Sequence, residues 1–212
     1  RAAFLHVADI LEHRQQERTP PIERLIREGD TLVVQVVKDP IGTKGARLST
    51  QVSLAGRMLV YLPQEPHIGV SQRIEGETER AQLRDMLTRL VPADETGGYI
   101  VRTSAEDADE EELAADIAYL RLRWSQIREA AGRQPAPSLL YEDLSLAQRV
   151  LRDIATDETT SIQVDSRENF LALQAFGRQY VPKVADKLEH YAGERPLFDV
   201  YQVDDEIERA LG

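Results

Sequence analysis

The chain has 212 residues, of which 42% are hydrophobic, and a formal net charge of −11. This length suffices for one large domain or about two to three small ones, each with a modest core. No apolar run approaches the ~20 residues that a transmembrane helix needs, and the first residues lack the pattern of a secretion signal. The absence of cysteine excludes disulfides and thiolate metal sites. We therefore predict a cytoplasmic globular protein with no membrane-spanning segment.

The net charge alone argues against a nucleic-acid partner, because phosphate binding depends on clustered lysine and arginine. The distribution of charge changes that conclusion. Residues 1–103 hold 14 Lys+Arg and 14 Asp+Glu, whereas residues 104–212 hold 12 and 23. Residues 31–57 contain four basic side chains and one acidic one, Asp39. A locally basic surface on an acidic chain is therefore compatible with the sequence.

The first half of the chain is predicted to be rich in strands. Its β-branched, partly alternating segments are separated by a basic loop over residues 38–45 that contains Pro40, Gly42 and Gly45. A helix over residues 77–90 places Leu83, Leu87 and Leu90 on one face. The predicted strands cover residues 2–6, 31–37, 46–54, 58–62 and 98–103.

The strongest helical pattern covers residues 107–131, where apolar side chains recur at spacings of three and four. The stripe consists of Leu113, Ile117, Leu120, Trp124, Ile127 and Ala131. An acidic run at residues 107–112 complements the positive end of the helix dipole, so we interpret it as a solvated helix start and not as a metal site.

A Gly- and Pro-containing break over residues 132–137 marks a candidate domain boundary. Beyond it the pattern predicts helices over residues 144–156 and from Asp165-Ser166 onward, strands at 161–164 and 187–191, and a final helix. The fold class is therefore α+β. The chain opens within a strand-like pattern and closes within a helical one, which we interpret as the sign of a piece of a longer protein.

No catalytic or metal-binding constellation is visible. His6, His13, His67 and His190 show no ligand spacing for zinc, and there is no nucleophile elbow or P-loop. We assign no catalytic residues to the chain.

Seven segments, taken together and in their order, closely resemble the ribonuclease E/G family, and the later ones are most similar to its ribonuclease G branch. They are residues 33–50 (VVQVVKDPIGTKGARLST), 53–60 (SLAGRMLV), 69–75 (GVSQRIE), 101–103 (VRT), 146–153 (LAQRVLRD), 164–167 (VDSR) and 187–191 (KLEHY). The resemblance implies three parts: residues 1–51 as the later strands of an S1 domain (an OB-fold barrel), 52–142 as a sensor of the RNA 5′ end, and 143–212 as part of an RNase H-like subdomain.

The resemblance also implies the site residues of the 5′ sensor. Gly56, Val60, Arg102 and Thr103 match its pocket, in which Arg102 offers a planar guanidinium to a terminal monophosphate and Thr103 a hydroxyl. Arg73 is a further candidate, although Gln72 departs from the two arginines of the ribonuclease E pattern.

Phe4 and Lys44 match residues of the S1 RNA-binding surface. Burial statistics alone would place Phe4 in a core, whereas the resemblance places it on an exposed face where it stacks on a base. Lys44 is either a phosphate contact or an ordinary solvated loop lysine.

The function implied is the RNA-binding, 5′-monophosphate-sensing portion of a single-strand-specific endoribonuclease that matures ribosomal RNA and degrades messenger RNA. The partner is single-stranded RNA, the full enzyme is expected to form a homodimer or homotetramer, and its Mg²⁺ and catalytic aspartates are expected outside this chain. The alternative is a stand-alone S1-type RNA-binding or ribosome-associated module with no nuclease attached.

Overall fold

The computed structural model describes residues 3–10, 20–156 and 158–211. Ala2 of the first predicted strand and His13 lie outside these residues. Two compact units divide the chain between Glu142 and Asp143. Both contain helices and strands, so the predicted α+β class is confirmed.

The first unit begins with a three-stranded sheet in the order β1-β3-β2, in which β3 is parallel to β1 and antiparallel to β2. These strands are β1 (Ala3–Leu5), β2 (Gln35–Lys38) and β3 (Ala46–Ser49). The predicted strand over 31–37 is thus wrong at its start, since residues 31–34 form no strand. The reason is that β3 ends at Ser49, after which the Thr50 N–H donates to the Asp9 carbonyl at 3.0 Å, so no partner remains beyond Gln35.

A second, four-stranded sheet of the same unit has the order β4-β5-β7-β6. Its strands are β4 (Leu54–Ala55), β5 (Leu59–Leu62), β6 (Ile68–Val70) and β7 (Gly98–Val101). Two of them correspond to predicted strands. The predicted strand 46–54 was wrong as a single element, because it divides into β3 and β4, and the short, glycine-containing β6 was not predicted.

Two helices cover this sheet: α1 (Glu77–Leu90) and α2 (Glu110–Arg133). The predicted stripe of α2 is confirmed at five of its six positions, since Leu113, Ile117, Leu120 and Ile127 are buried and Trp124 packs against the same core, whereas Ala131 does not belong to it. Burying such a side chain stabilises a fold by about 1.5–3 kcal/mol. The helix begins with a capping box in which the Asp109 carboxylate accepts from the Glu112 N–H at 2.8 Å.

The second unit is built on a two-stranded parallel sheet, β8 (Ile162–Val164) with β9 (Leu188–His190). Leu151, Leu173 and Phe176 belong to its core. The helices are α3 (Leu146–Asp153), α4 (Arg167–Tyr180), α5 (Pro182–Ala185), α6 (Leu197–Val200) and α7 (Val203–Leu211). The short helices α5 and α6 were not predicted, because four residues carry too little periodicity.

Candidate functional site

One edge of the four-stranded sheet gathers most of the residues predicted for the 5′ sensor. Strands β6 and β7 run parallel and end together, with the Ser71 N–H donating to the Val101 carbonyl at 2.8 Å. Strand β5 is antiparallel to β7 and begins at the same edge, where Leu59 pairs with Val101. The segments that leave this edge carry Gly56, Arg73, Arg102 and Thr103.

Arg102 contacts residues 56–59, hereafter the 56–59 loop, the last residue of which is also the first of β5. Its Nη1 donates to the carbonyl of Gly56 and, at 3.1 Å, to the carbonyl of Arg57. Its backbone N–H donates to the Met58 carbonyl at 2.8 Å. Arg102 was predicted within a strand, but β7 ends one residue earlier and Arg102 instead caps the single 3-10 turn Thr103–Ala105.

Asp116 of α2 binds the other side of the same loop. Its carboxylate accepts from the N–H groups of Arg57 at 3.1 Å, Met58 at 2.9 Å and Leu59 at 2.8 Å. A Cβ at Gly56 would lie 2.4 Å from the Asp116 oxygens, closer than atoms can approach. Gly56 is therefore required by the close packing of this carboxylate.

Sequence reasoning missed Asp116, although a signal was present. The residue lies three after Leu113 and four before Leu120, so it occupies the apolar stripe of α2. It is one of the few buried polar or charged side chains of the described residues, at 9% exposure. A carboxylate in an apolar stripe is unfavourable unless it is hydrogen-bonded, and this requirement predicts a partner such as the loop.

The remaining predicted sensor residues take different positions. Thr103 is exposed at the start of its 3-10 turn, beside Arg102. Val60 is half-buried on β5 and pairs in register with Ile100, so the two share the face opposite Leu59 and Tyr99. Arg73 is exposed in the turn after β6, where its N–H donates to the Ser71 hydroxyl at 3.3 Å. The structure thus brings Arg102 and Gly56 into contact and leaves Arg73 at the same edge without a described contact to them.

The residues predicted for the S1 surface lie on the three-stranded sheet. Phe4 is 51% exposed on β1, so the interpretation of Phe4 as a core residue is wrong. It is in register with Arg47 of β3, which in turn is in register with Lys38 of β2. Phe4 and Arg47 therefore lie side by side across β1 and β3, and Lys38 follows an irregularity in the β2–β3 pairing between Val36 and Lys38. On the opposite face, Leu5 and Leu48 line an open groove of about 450 Å³ together with side chains of residues 22–28.

Lys44 is exposed in the tight turn between β2 and β3. The turn is closed by mutual backbone bonds of 3.0 and 3.2 Å between Ile41 and Lys44, and Gly42 adopts a φ of 57° that favours glycine. Arg47 contributes less positive charge to the predicted basic surface than expected, because its guanidinium binds both oxygens of the Asp9 carboxylate at 3.0 Å. Lys38 and Lys44 are the exposed basic residues of this segment.

A buried carboxylate lies at the opposite end of β7. The side chain of Glu95 is 5% exposed and accepts from the Tyr61 hydroxyl at 2.8 Å, the Gly97 N–H at 2.9 Å and the Tyr99 hydroxyl at 3.2 Å. Burial raises the pKa of Glu95, but these bonds and the Arg121 guanidinium outweigh it and hold the pKa below its usual value. Burial, with Glu95 beside them, raises the pKa of both tyrosines, which therefore remain donors at neutral pH.

Within residues 3–10, 20–156 and 158–211, no three histidine or acidic side chains are grouped so that they could hold a metal ion. None of the helices in this part of the chain is long and apolar enough to cross a lipid bilayer.

Comparison with known proteins identifies the family. The model of the ribonuclease E/G family matches residues 53–212. Ribonuclease G of Escherichia coli strain K12 is 48% identical to this chain over its whole length, and the chain covers 44% of that protein. Ribonuclease G of Haemophilus influenzae is 43% identical over the whole chain, which again covers 44% of the relative. Ribonuclease E of Escherichia coli strain K12 is 36% identical over 91% of this chain and 18% of its own length. The chain thus spans less than half the length of these curated relatives. It belongs to the ribonuclease E/G family.

Proposed function

We propose that this chain is the RNA-binding, 5′-end-sensing portion of a single-strand-specific endoribonuclease that matures ribosomal RNA and degrades messenger RNA. Its similarity to ribonucleases G and E, together with its 44% share of ribonuclease G, supports this assignment. Catalysis then belongs to parts of the longer protein that these residues do not include. The family match extends over residues 53–212, which favours a nuclease component over a stand-alone S1 module.

Within this proposal, residues 1–51 are the later strands of an S1 domain, residues 52–142 the 5′ sensor and residues 143–212 part of an RNase H-like subdomain. The exposed Phe4, together with the exposed Lys38 and Lys44 of the same sheet and turn, supports the first assignment, because single-strand binders combine aromatic stacking with basic groups along the backbone. The full enzyme acts in the cytoplasm, where these transcripts are, as a homodimer or homotetramer. Its Mg²⁺ is held by residues outside this chain.

The observation that carries the sensor assignment is the fixed position of Arg102 beside the 56–59 loop. Two carbonyls orient a guanidinium that has five N–H donors in one plane. A planar donor group of this kind forms charge-assisted, bidentate bonds with phosphate and gains little from a hydroxyl. Thr103 adds a neutral hydroxyl next to it, and the shared apolar face of Val60 and Ile100 offers a surface for the first base.

The test is binding of the chain to single-stranded RNA that differs only at its 5′ end. We expect tighter binding to a monophosphate end than to a hydroxyl end, and a poor fit for a triphosphate. Arg102→Leu should reduce the monophosphate preference roughly ten- to hundredfold, since a charged hydrogen bond contributes ~1.5–3 kcal/mol. Binding to hydroxyl-ended RNA should remain nearly unchanged.

The matched control is Arg178→Leu, which removes the same charge from an exposed position of α4 in the other unit. It should leave the preference intact. If Arg102→Leu weakens binding to both RNAs equally while the fold is retained, Arg102 has a structural or backbone-binding role and is not an end sensor. In the full-length nuclease, the same variant should slow cleavage of monophosphorylated RNA only.

A further inference from the structure

Asp116 and Arg102 bind opposite sides of the same three peptide groups. The peptide between Gly56 and Arg57 donates its N–H to Asp116 at 3.1 Å, and its carbonyl accepts from Arg102 Nη1. The next peptide donates to Asp116 at 2.9 Å and accepts from Arg102 Nη1 at 3.1 Å. The third donates to Asp116 at 2.8 Å and accepts from the Arg102 backbone N–H at 2.8 Å.

This arrangement follows from peptide geometry. In a planar trans peptide the N–H and the carbonyl point in opposite directions, so a group that binds the N–H side fixes where the carbonyl points. Because one carboxylate accepts all three N–H groups, all three carbonyls point to residue 102. Each peptide is polarised by the anion on one side and by a donor of Arg102 on the other, which strengthens both bonds.

We propose that Asp116 is the positioning residue of the 5′-end site: through these three peptides it sets the position of the Arg102 guanidinium that binds the terminal phosphate. This inference rests on the proposed function. Asp116 does not touch the RNA.

The side chain is suited to this role and poorly explained by packing alone. An aliphatic residue at position 116 would extend the apolar stripe of α2, but it would leave three N–H groups of the loop without their acceptor. Glycine at position 56 belongs to the same arrangement of loop, carboxylate and guanidinium, since any Cβ there would displace the Asp116 carboxylate. Ser104 adds a second donor to the Arg57 carbonyl at 2.5 Å, on the same side as Arg102.

Asp116→Asn is the decisive variant, because it preserves shape but retains only one acceptor oxygen. The NH2 group that replaces the other oxygen is a donor and faces an N–H donor of the loop. The peptide that carries this N–H therefore loses its acceptor and its fixed orientation. We expect the preference for 5′-monophosphate over 5′-hydroxyl RNA to fall about tenfold, with binding to hydroxyl-ended RNA within about twofold of the unsubstituted chain. We also expect the NMR signals of the Arg102 guanidinium to broaden in the absence of RNA.

Glu95→Gln is the matched control, since it changes another buried, multiply hydrogen-bonded carboxylate of the same unit at the opposite end of β7. It should lower the melting temperature without altering the 5′ preference or the Arg102 signals. The double variant Asp116→Asn/Arg102→Leu should lose no more preference than Arg102→Leu alone, because a residue that acts through Arg102 has no effect once Arg102 is gone.

The outcomes separate the two proposals. If Arg102→Leu leaves the preference unchanged, the proposed function is overturned and Asp116 has no role in sensing. If Arg102→Leu removes the preference and a folded Asp116→Asn retains it, or if their effects are additive, the present inference alone is overturned. Should Asp116→Asn not fold, Gly56→Ala displaces the same carboxylate and must produce the same loss of preference and the same change at Arg102. A Gly56→Ala chain with both unchanged would equally overturn the inference.

Discussion

Phe4 of β1 lies directly beside Arg47 of β3 in parallel register, and Phe4 is 51% exposed. Residues paired in this way project from the same face of a sheet. Arg47 is held in place by the Asp9 carboxylate, so the face is ordered around the exposed ring. The proposed role of Phe4 in base stacking predicts the following.

Phe4→Leu should weaken binding to single-stranded RNA, because leucine retains the apolar surface but cannot stack. The expected loss is about 1–3 kcal/mol per base, or roughly five- to 150-fold in Kd. Phe4→Trp should bind at least as well as the unsubstituted chain. The control is Phe198→Leu, which changes an equally exposed ring (55%) of the second unit. Equal affinities for Phe4→Leu and the unsubstituted chain in a fluorescence titration would exclude stacking at Phe4.

Lys44→Ala should weaken RNA binding to a similar degree for all sequences. If the side chain neutralises one phosphate from the exposed turn, the slope of log K against log salt should decrease by about 0.7 for a single strand. Lys183→Ala, at an exposed position of α5, should leave the slope as it is. Titrations over a range of salt concentrations decide the question, and an unaltered slope for Lys44→Ala would identify it as an ordinary loop lysine.

Thr103→Val should reduce the 5′-monophosphate preference more weakly than Arg102→Leu, since it removes a neutral donor from an exposed position. A neutral hydrogen bond contributes ~0.5–1.5 kcal/mol, which corresponds to roughly a two- to tenfold change. Thr88→Val, on the exposed side of α1, is the isosteric control. A loss as large as that of Arg102→Leu would mean that Thr103 shapes the turn and is not only a donor.

Glu95→Gln should destabilise the first unit by about 1–3 kcal/mol at pH 7, because the amide cannot accept all the bonds that the carboxylate accepts. The pKa of Glu95 is lowered in the folded chain, so its stabilising contribution is present above the unfolded pKa and is lost as the pH falls through the folded pKa. The difference in unfolding free energy between the variant and the unsubstituted chain should therefore shrink below about pH 4. Urea unfolding at several pH values measures it, and a difference that stays constant down to pH 2 would contradict the assignment.

The chain by itself should not cleave RNA in the presence of Mg²⁺, since the proposed catalytic aspartates belong to parts of the longer protein that these residues do not include. Incubation with a single-stranded oligonucleotide and Mg²⁺ tests this. Cleavage that disappears when one of the chain's own aspartates is changed would contradict the prediction, whereas cleavage that survives every such change would indicate contamination.

Local patterns in the sequence determined most of the elements. The three- and four-residue spacing of Leu113, Ile117 and Leu120 specified both the existence and the buried face of α2, because a helix places such residues side by side. The strands β5 and β7 and the helix α1 could be predicted from the sequence in the same way. Short elements such as β6 were not, since three residues with a glycine carry no periodicity.

Only part of the candidate site could be predicted from the sequence. Arg102 and Gly56 were found through resemblance, and their contact across 46 positions of the chain appears only when β5 and β7 pair. Phe4 was ambiguous between core and surface, because exposure depends on what covers each face of a sheet, and among the described residues the segment 22–28 lies on the face opposite Phe4. The role of Asp116 could not be predicted from the sequence. Its carboxylate binds three N–H groups that lie 57 to 59 positions away in the chain. Hydrogen bonds between such distant segments follow from tertiary packing, so the sequence supplied the groups and only the fold decided which of them met.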